Sequence, residues 1–139
     1  MEYNDIYDKD RNRTGRVHLR GTPWRKGEYG LVVCVWVYDG KGKLLLTRRA
    51  PEKSYPGTWE NSGGAAIAGE TSLEAIVREL AEETGFKVKP VKAFVRVKEY
   101  AYEVLWENNY FICEIEGECE RHLTESEEYN RVSAKWVDI

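Results

Sequence analysis

The densest chemistry in this chain lies between positions 64 and 86, GAAIAGETSLEAIVRELAEETGF. Glu79, Glu82 and Glu83 stand at i, i+3 and i+4, so on a helix their carboxylates converge on one patch. Like charges at that spacing cost an isolated helix about 0.2–0.5 kcal/mol per pair. A cation between them removes the cost, and hard oxygen ligands select Mg²⁺ or Mn²⁺. Arg78 is four residues from both Glu74 and Glu82, a flank position from which it can orient the acidic cluster. Glu70 follows Gly69 in a loop that can fold back toward the first helical turns. The competing reading of the glutamates is a solvated acidic face with ordinary ion pairs.

A helix must carry these groups, and its ends are legible. Thr71 with Glu74 three residues on forms a capping box, so the helix begins near Ser72. Gly85 supplies a left-handed cap after Thr84. Leu73, Ile76, Val77 and Leu80 make an apolar stripe facing a core. Around the helix the pattern predicts strands. Ile6–Tyr7 and Arg16–Arg20 flank the polar turn Asp8–Gly15. Leu31–Tyr38 is a near-continuous apolar run, as expected when both faces of a strand are buried. Asp39–Gly42 reads as a hairpin turn into a strand at Leu44–Thr47, and Pro51–Gly57 as a loop. Further strands fit Val91–Tyr102, Asn109–Glu116 and Ala134–Val137, with Leu123–Asn130 as a polar tail. Strands on both sides of one long helix imply an α/β fold, a mixed sheet with helical cover.

With 139 residues the chain has room for one domain with a real core. A net charge of −3 argues against non-specific binding to nucleic acid. The charge is uneven: Arg11, Arg13, Arg16, Arg20, Arg25 and Lys26 make the N-terminal fifth basic, and Glu114, Glu116, Glu118 and Glu120 make the C-terminal part acidic. A solvated face is the plain reading of both; the sharper one is that N-terminal arginines meet substrate phosphate or a second subunit. The first 20 residues have no apolar stretch, and no window approaches a membrane span, so neither leader nor membrane is expected. Cys34, Cys113 and Cys119 have no metal-type spacing, which points to a reducing, cytoplasmic setting. His18 and His122 have no partners in sequence.

The segment resembles the Nudix box, G-x5-E-x7-R-E-U-x-E-E-x-G-U with U apolar, at Gly64, Glu70, Arg78, Glu79, Leu80, Glu82, Glu83, Gly85 and Phe86. Lys43–Arg49, Pro56-Gly57, Trp59-Glu60 and Gly63-Gly64 look like the family's approach to the box, and Ala134–Val137 like its late strand. The resemblance covers roughly residues 28–138. It implies a single domain over 1–139, a mixed sheet sandwiched between helices (α/β/α), with residues 1–26 as a β-hairpin extension. It also implies hydrolysis of a nucleoside diphosphate linked to another moiety by water attack on phosphorus. Glu79, Glu82 and Glu83 would then bind divalent Mg²⁺ or Mn²⁺, helped by the Gly64 carbonyl and sometimes Glu70, and Arg78 would hold a carboxylate in place. Glu79 or Glu83 would be the base, Glu79 preferred. The alternative is a glutamate from a late loop, drawn from Glu99, Glu103, Glu107, Glu125, Glu127 and Glu128.

Substrate contacts are less defined. Arg48 and Arg49 at a strand end are candidates for phosphate, against plain surface charge. Trp59 reads as a structural plug or a stacking platform, and Glu128 is a further candidate contact. Tyr100, Tyr102, Trp106 and Tyr110 would surround the cleft. The flanking sequence, Gly27–Trp36 with Leu45–Ala50 and Trp59–Ser62, is also similar to the isopentenyl-diphosphate isomerase branch. That branch needs a cysteine where Gly63 stands, and histidines matching Gly30 and Ala65. Hydrolysis is therefore expected over isomerisation, and over a Nudix-fold module that binds a nucleotide without turning it over. The chain ends at Ile139, where many relatives continue into a helix, and the basic N-terminal hairpin is a candidate contact for a homodimer.

Overall fold

The computed structural model describes residues 1–51, 54–101, 104–120 and 133–139, with side chains at these positions except 90, 94, 99–101 and 104–109. Nine strands and one helix are formed among the described residues. A two-stranded sheet pairs β1 (Tyr3–Tyr7) with β2 (Arg13–Leu19), antiparallel. The larger sheet contains β3 (Val32–Tyr38), β4 (Lys43–Arg48), β5 (Trp59–Glu60), β6 (Ser62–Ala65), β7 (Phe86–Ala101), β8 (Val104–Glu118) and β9 (Ala134–Asp138). It is mixed: β3 and β8 are parallel, and every other pairing is antiparallel.

The register shows how the sheet makes room for a site. β3 pairs with β4 only at Val37 and Tyr38, and the two strands part toward the start of β3. The segment after the loop fills the wedge, pairing with β4 at Trp59–Glu60 and with β3 at Ser62–Ala65. It changes partner at Asn61, just before the glycine pair. The β3–β4 turn is closed by the Asp39 side chain, which accepts from the backbone N–H of Lys41 at 2.7 Å and Lys43 at 3.0 Å.

Helix α1 (Ser72–Thr84) has the expected ends. Thr71 and Glu74 form the capping box, and Gly85 at φ 77° donates to the Ala81 carbonyl at 3.0 Å. Its buried residues are Ala75, Ile76, Leu80 and Thr84. Leu73, placed on the stripe by spacing, is 46% exposed, so the contact line runs nearer the helix C-terminus. Thr84 is tolerated there because its hydroxyl donates to the Leu80 carbonyl at 2.6 Å. Ala75, Ile76 and Leu80 pack with Val33, Val35, Val37, Leu45, Val88, Phe111 and Cys113 in a single core.

Burial along β3 alternates: Val33, Val35 and Val37 are buried, while Trp36 and Tyr38 are exposed. The apolar run predicted burial on both faces. Only the face that meets α1 is fully covered among the described residues, because successive strand side chains point to opposite faces. The polar tail Leu123–Asn130 lies outside the described residues, as does Tyr102. β7 and β8 are both longer than the pattern predicted, pairing from Phe86↔Glu118 to Ala101↔Val104 with register shifts between Lys87 and Val88, Pro90 and Lys92, and Ala93 and Val95.

Candidate functional site

Arg78 organises the acidic face of α1. Its Nε and Nη2 donate to the two oxygens of Glu70 at 2.7 and 3.0 Å, a bidentate pair across eight residues of sequence. Its Nη1 donates at 3.1 Å to both Glu79 and Glu82, and Nη2 reaches the Ala65 carbonyl at 3.2 Å. Glu70 does fold back onto the helix, and its Oε2 also accepts the Ile67 N–H at 2.8 Å. Burial acts to raise the Glu70 carboxyl, but Arg78 and the Ile67 N–H outweigh it and hold it below the usual range. The same hydrogen bonds to Glu70 raise the Arg78 guanidinium. Glu74, expected as a partner of Arg78, is used instead at the cap, accepting from the Thr71 N–H and hydroxyl at 2.8 Å.

Gly64 lets Glu79 into the sheet. A Cβ on Gly64 would lie 2.3 Å from Glu79 Oε1 and 2.7 Å from Oε2, so any other residue there would occupy the carboxylate's place. Glu79 is well covered, its side chain 13% exposed, and burial pushes its carboxyl up against the opposing pull of Arg78. Glu82 is more open, at 41%. Glu83 turns Oε2 away from solvent. Burial, with the Glu60 and Glu83 charges, pushes the Cys34 thiol up. The three glutamates thus share a helix face without closing on a single point. Among the described residues no three His, Cys, Asp or Glu side chains are gathered into a cage. Arg78 lies between two of the three carboxylates.

Beyond this face lies a cavity of about 400 Å³ lined by Trp36, Leu44, Leu46, Trp59, Glu60, Asn61, Val137 and Asp138. Trp36 alternates with the buried valines of β3, so the cavity is on the sheet face opposite α1. Glu60 and Asn61, which line it, directly precede β6 and its glycine pair. Trp59 is 37% exposed at the cavity, with Lys135 Nζ 4.0 Å from its ring centroid. Trp36 was not among the residues singled out by sequence; its place in an apolar run hid it, and only strand alternation separates it from the core valines.

Arg48 and Arg49 are engaged with the preceding loop. Arg48 Nε donates to the Gly57 carbonyl at 3.3 Å. Arg49 donates to the Ser54 carbonyl at 2.7 Å and hydroxyl at 3.1 Å, and pairs with Glu60. Glu128, Glu125 and Glu127 lie outside the described residues, as do Glu103 and the side chains of Glu99, Glu107, Tyr100 and Trp106. His18 is buried and stacks under Trp24 with ring centroids 3.8 Å apart.

A family model described as NUDIX domain matches residues 28–139. The chain belongs to the Nudix family. An uncharacterized Nudix hydrolase of Listeria monocytogenes is 38% identical over 90 residues, covering 63% of this chain and 53% of its own. The chain therefore spans about half the length of that relative. An isopentenyl-diphosphate Delta-isomerase of Halorhodospira halophila is 36% identical over 119 residues, covering 79% of this chain and 65% of its own. A crystal structure of a Deinococcus radiodurans protein shares the fold, with a TM-score of 0.65 at 23% identity. It covers 99% of this chain and 83% of that one, so the N-terminal hairpin is included in the likeness.

Local packing in this Nudix domain bears on the isomerase branch. A Cβ on Gly63 would lie 2.3 Å from the Val33 carbonyl oxygen and 2.9 Å from Cys34 Cα, so a cysteine there requires the backbone to move. A side chain on Gly30 would meet Trp24 at 3.0 Å and have to push the indole aside. Among the described residues no helix is long and apolar enough to cross a membrane.

Proposed function

We propose that this Nudix domain is a divalent-cation-dependent hydrolase that cleaves the phosphate–phosphate bond of a small diphosphate compound, nucleoside-diphosphate derivatives foremost. The observation that carries the reading is the seating of the Glu79 carboxylate against the bare Cα of Gly64, beside Arg78 and Glu70. The donor set suits Mg²⁺ or Mn²⁺: side-chain oxygens of Glu79, Glu82 and Glu83, the Gly64 carbonyl and Glu70 are all hard oxygen ligands. When bound, the cation neutralises the diphosphate and lowers the pKa of water.

The chain's own groups do the rest. Arg78 fixes Glu79 and Glu82 from one guanidinium and prevents their mutual repulsion from splaying them. Glu79 is assigned as the base that takes the proton of the attacking water. The water oxygen bonds to phosphorus as the bridging P–O bond breaks, and the departing phosphate carries off the bonding pair. Little covalent help is needed, because charge neutralisation and alignment supply most of the acceleration in phosphoryl transfer. The cavity between Trp36 and Trp59 receives the group attached to the diphosphate.

The test is a panel of nucleoside-diphosphate derivatives and non-nucleoside diphosphates assayed with Mg²⁺ and Mn²⁺ on the wild type and on Glu82→Gln. Cation-dependent release of two phosphorylated products, reduced about 10²-fold or more in the variant, is the expected result. Equal turnover in the variant would show that the acidic face is not the cation site. Nucleotide binding with no turnover of any compound would identify a sensor module instead.

A further inference from the structure

We propose that the N-terminal hairpin, which lies outside the segment matched to the Nudix family, is a working part of the site. Asn4 and Arg13 act as positioning residues that set Glu70, and through it Arg78 and the acidic face. This rests on the hydrolase reading above. Strand β1 and the 66–70 loop meet along a continuous seam. Ala68 N–H donates to the Tyr3 carbonyl at 2.8 Å, Asn4 Nδ2 to the Ala66 carbonyl at 2.8 Å, and Gly69 N–H to the Asp5 carboxylate at 2.9 Å. Arg13, from the opposite strand, donates to the Glu70 carbonyl and stands 3.4 Å from Asp5. Asn4 is 5% exposed although it is fully polar, so its place there is maintained by the bond it makes.

Few other hydrogen bonds hold the loop among the described residues. Among the described residues its hydrogen bonds to the rest of the domain are the Ala66 N–H to the Leu31 carbonyl at 2.9 Å and those of the Glu70 side chain, with Ala66 itself buried in the core. Glu70 holds two of the three nitrogens of Arg78. If the loop drifts, the guanidinium is released from Glu70 and its charge falls on Glu79 and Glu82 alone. There it competes with a cation for the same carboxylates. The hairpin therefore tunes cation affinity while touching neither cation nor substrate.

The experiment measures Mn²⁺ binding by electron paramagnetic resonance and calorimetry, with thermal melting, for Arg13→Ala, Asn4→Ala and the control Arg16→Ala. Arg16, on the same hairpin, pairs with Glu28 at 2.6 Å, and among the described residues no hydrogen bond or ion pair ties its side chain to the loop. Arg13 is exposed, so its variant will fold even if Asn4→Ala does not. Expected is a Mn²⁺ dissociation constant about 5–20-fold weaker for Arg13→Ala and Asn4→Ala and unchanged for Arg16→Ala, with kcat largely recovered at saturating cation. In a Glu70→Gln background the effect of Arg13→Ala should shrink to less than about twofold, because the two act in series. A merely structural role would lower melting temperature and leave Mn²⁺ affinity alone. Affinities within twofold of wild type in the single variants, or losses that multiply fully with Glu70→Gln, overturn the proposal. Absence of Mn²⁺ binding in the wild type would instead overturn the hydrolase reading, and this inference with it.

Discussion

Arg78 Nε lies 2.7 Å from Glu70 Oε1, and the same guanidinium also holds Glu79 and Glu82 at 3.1 Å. One cation therefore ties the loop before the helix to the helix face itself. Replacing it with lysine keeps a charge but loses the planar fork, so one ammonium cannot serve all three carboxylates. Arg78→Lys is expected to lower kcat/KM by about 10-fold and Arg78→Ala by about 10²-fold or more. Steady-state kinetics at several Mg²⁺ concentrations will show whether the loss follows cation affinity.

Glu79 is held where its charge is costly. Burial raises its carboxyl above the ordinary value, so the ionised form is less favourable folded than unfolded. The stability this group contributes is present at low pH and lost as pH rises through its folded value. Glu79→Gln is thus expected to raise the melting temperature at neutral pH in the presence of a chelator, while abolishing turnover. A lowered melting temperature would mean that the Arg78 pair outweighs the cost of burial.

Glu70 has the opposite sign. Its carboxyl is held below the ordinary value, so the stability it contributes is present above the unfolded value and lost as pH falls through the folded one. Melting temperature should decline on acidification below about pH 5. In Glu70→Gln the protein should be less stable at neutral pH, with a shallower acid limb. Parallel curves for the two proteins would contradict this.

The adjacent glycines should fail differently. At Gly64 the group in the way is the far end of the Glu79 side chain, which can move; at Gly63 it is the Val33 backbone, which cannot without disturbing the sheet. Gly64→Ala is expected to lose most activity and little stability. Gly63→Ala should cost about 1–3 kcal/mol by overpacking. Gly63→Cys should likewise destabilise and gain no isomerase activity. Denaturant melts and turnover of the four proteins, wild type included, separate the two outcomes.

Trp36 and Trp59 face one cavity from different strands. Trp36→Ala removes a half-exposed wall without opening the core, so KM should rise about 10-fold with kcat within about threefold. A change confined to kcat would place the reacting bond, rather than its substituent, beside the indoles.

The helix that carries the candidate site is legible in the sequence. Helical spacing placed Glu79, Glu82 and Glu83 on one face, and the capping box and Gly85 fixed the helix to Ser72–Thr84. Both are local properties, set by bonds within four residues along the chain. The long β7–β8 ladder is clipped in the sequence at Pro90, which demotes a strand reading although Phe86-Lys87-Val88-Lys89 before it alternates. The N-terminal hairpin was readable as a hairpin but not as a neighbour of the box loop, since Asn4 and Ala66 are 62 residues apart.

The sequence by itself determined which carboxylates are available and which helix carries them. Only tertiary structure decided how those oxygens are held. Glu70 could have paired with any nearby cation, and Glu74 was as well spaced for Arg78 as Glu82. Capping took Glu74, and a loop pinned from the N-terminal hairpin brought in Glu70. Such choices depend on which long-range backbone contacts close around the helix. A periodic pattern along the chain records only neighbours within a turn or two, so it cannot carry them.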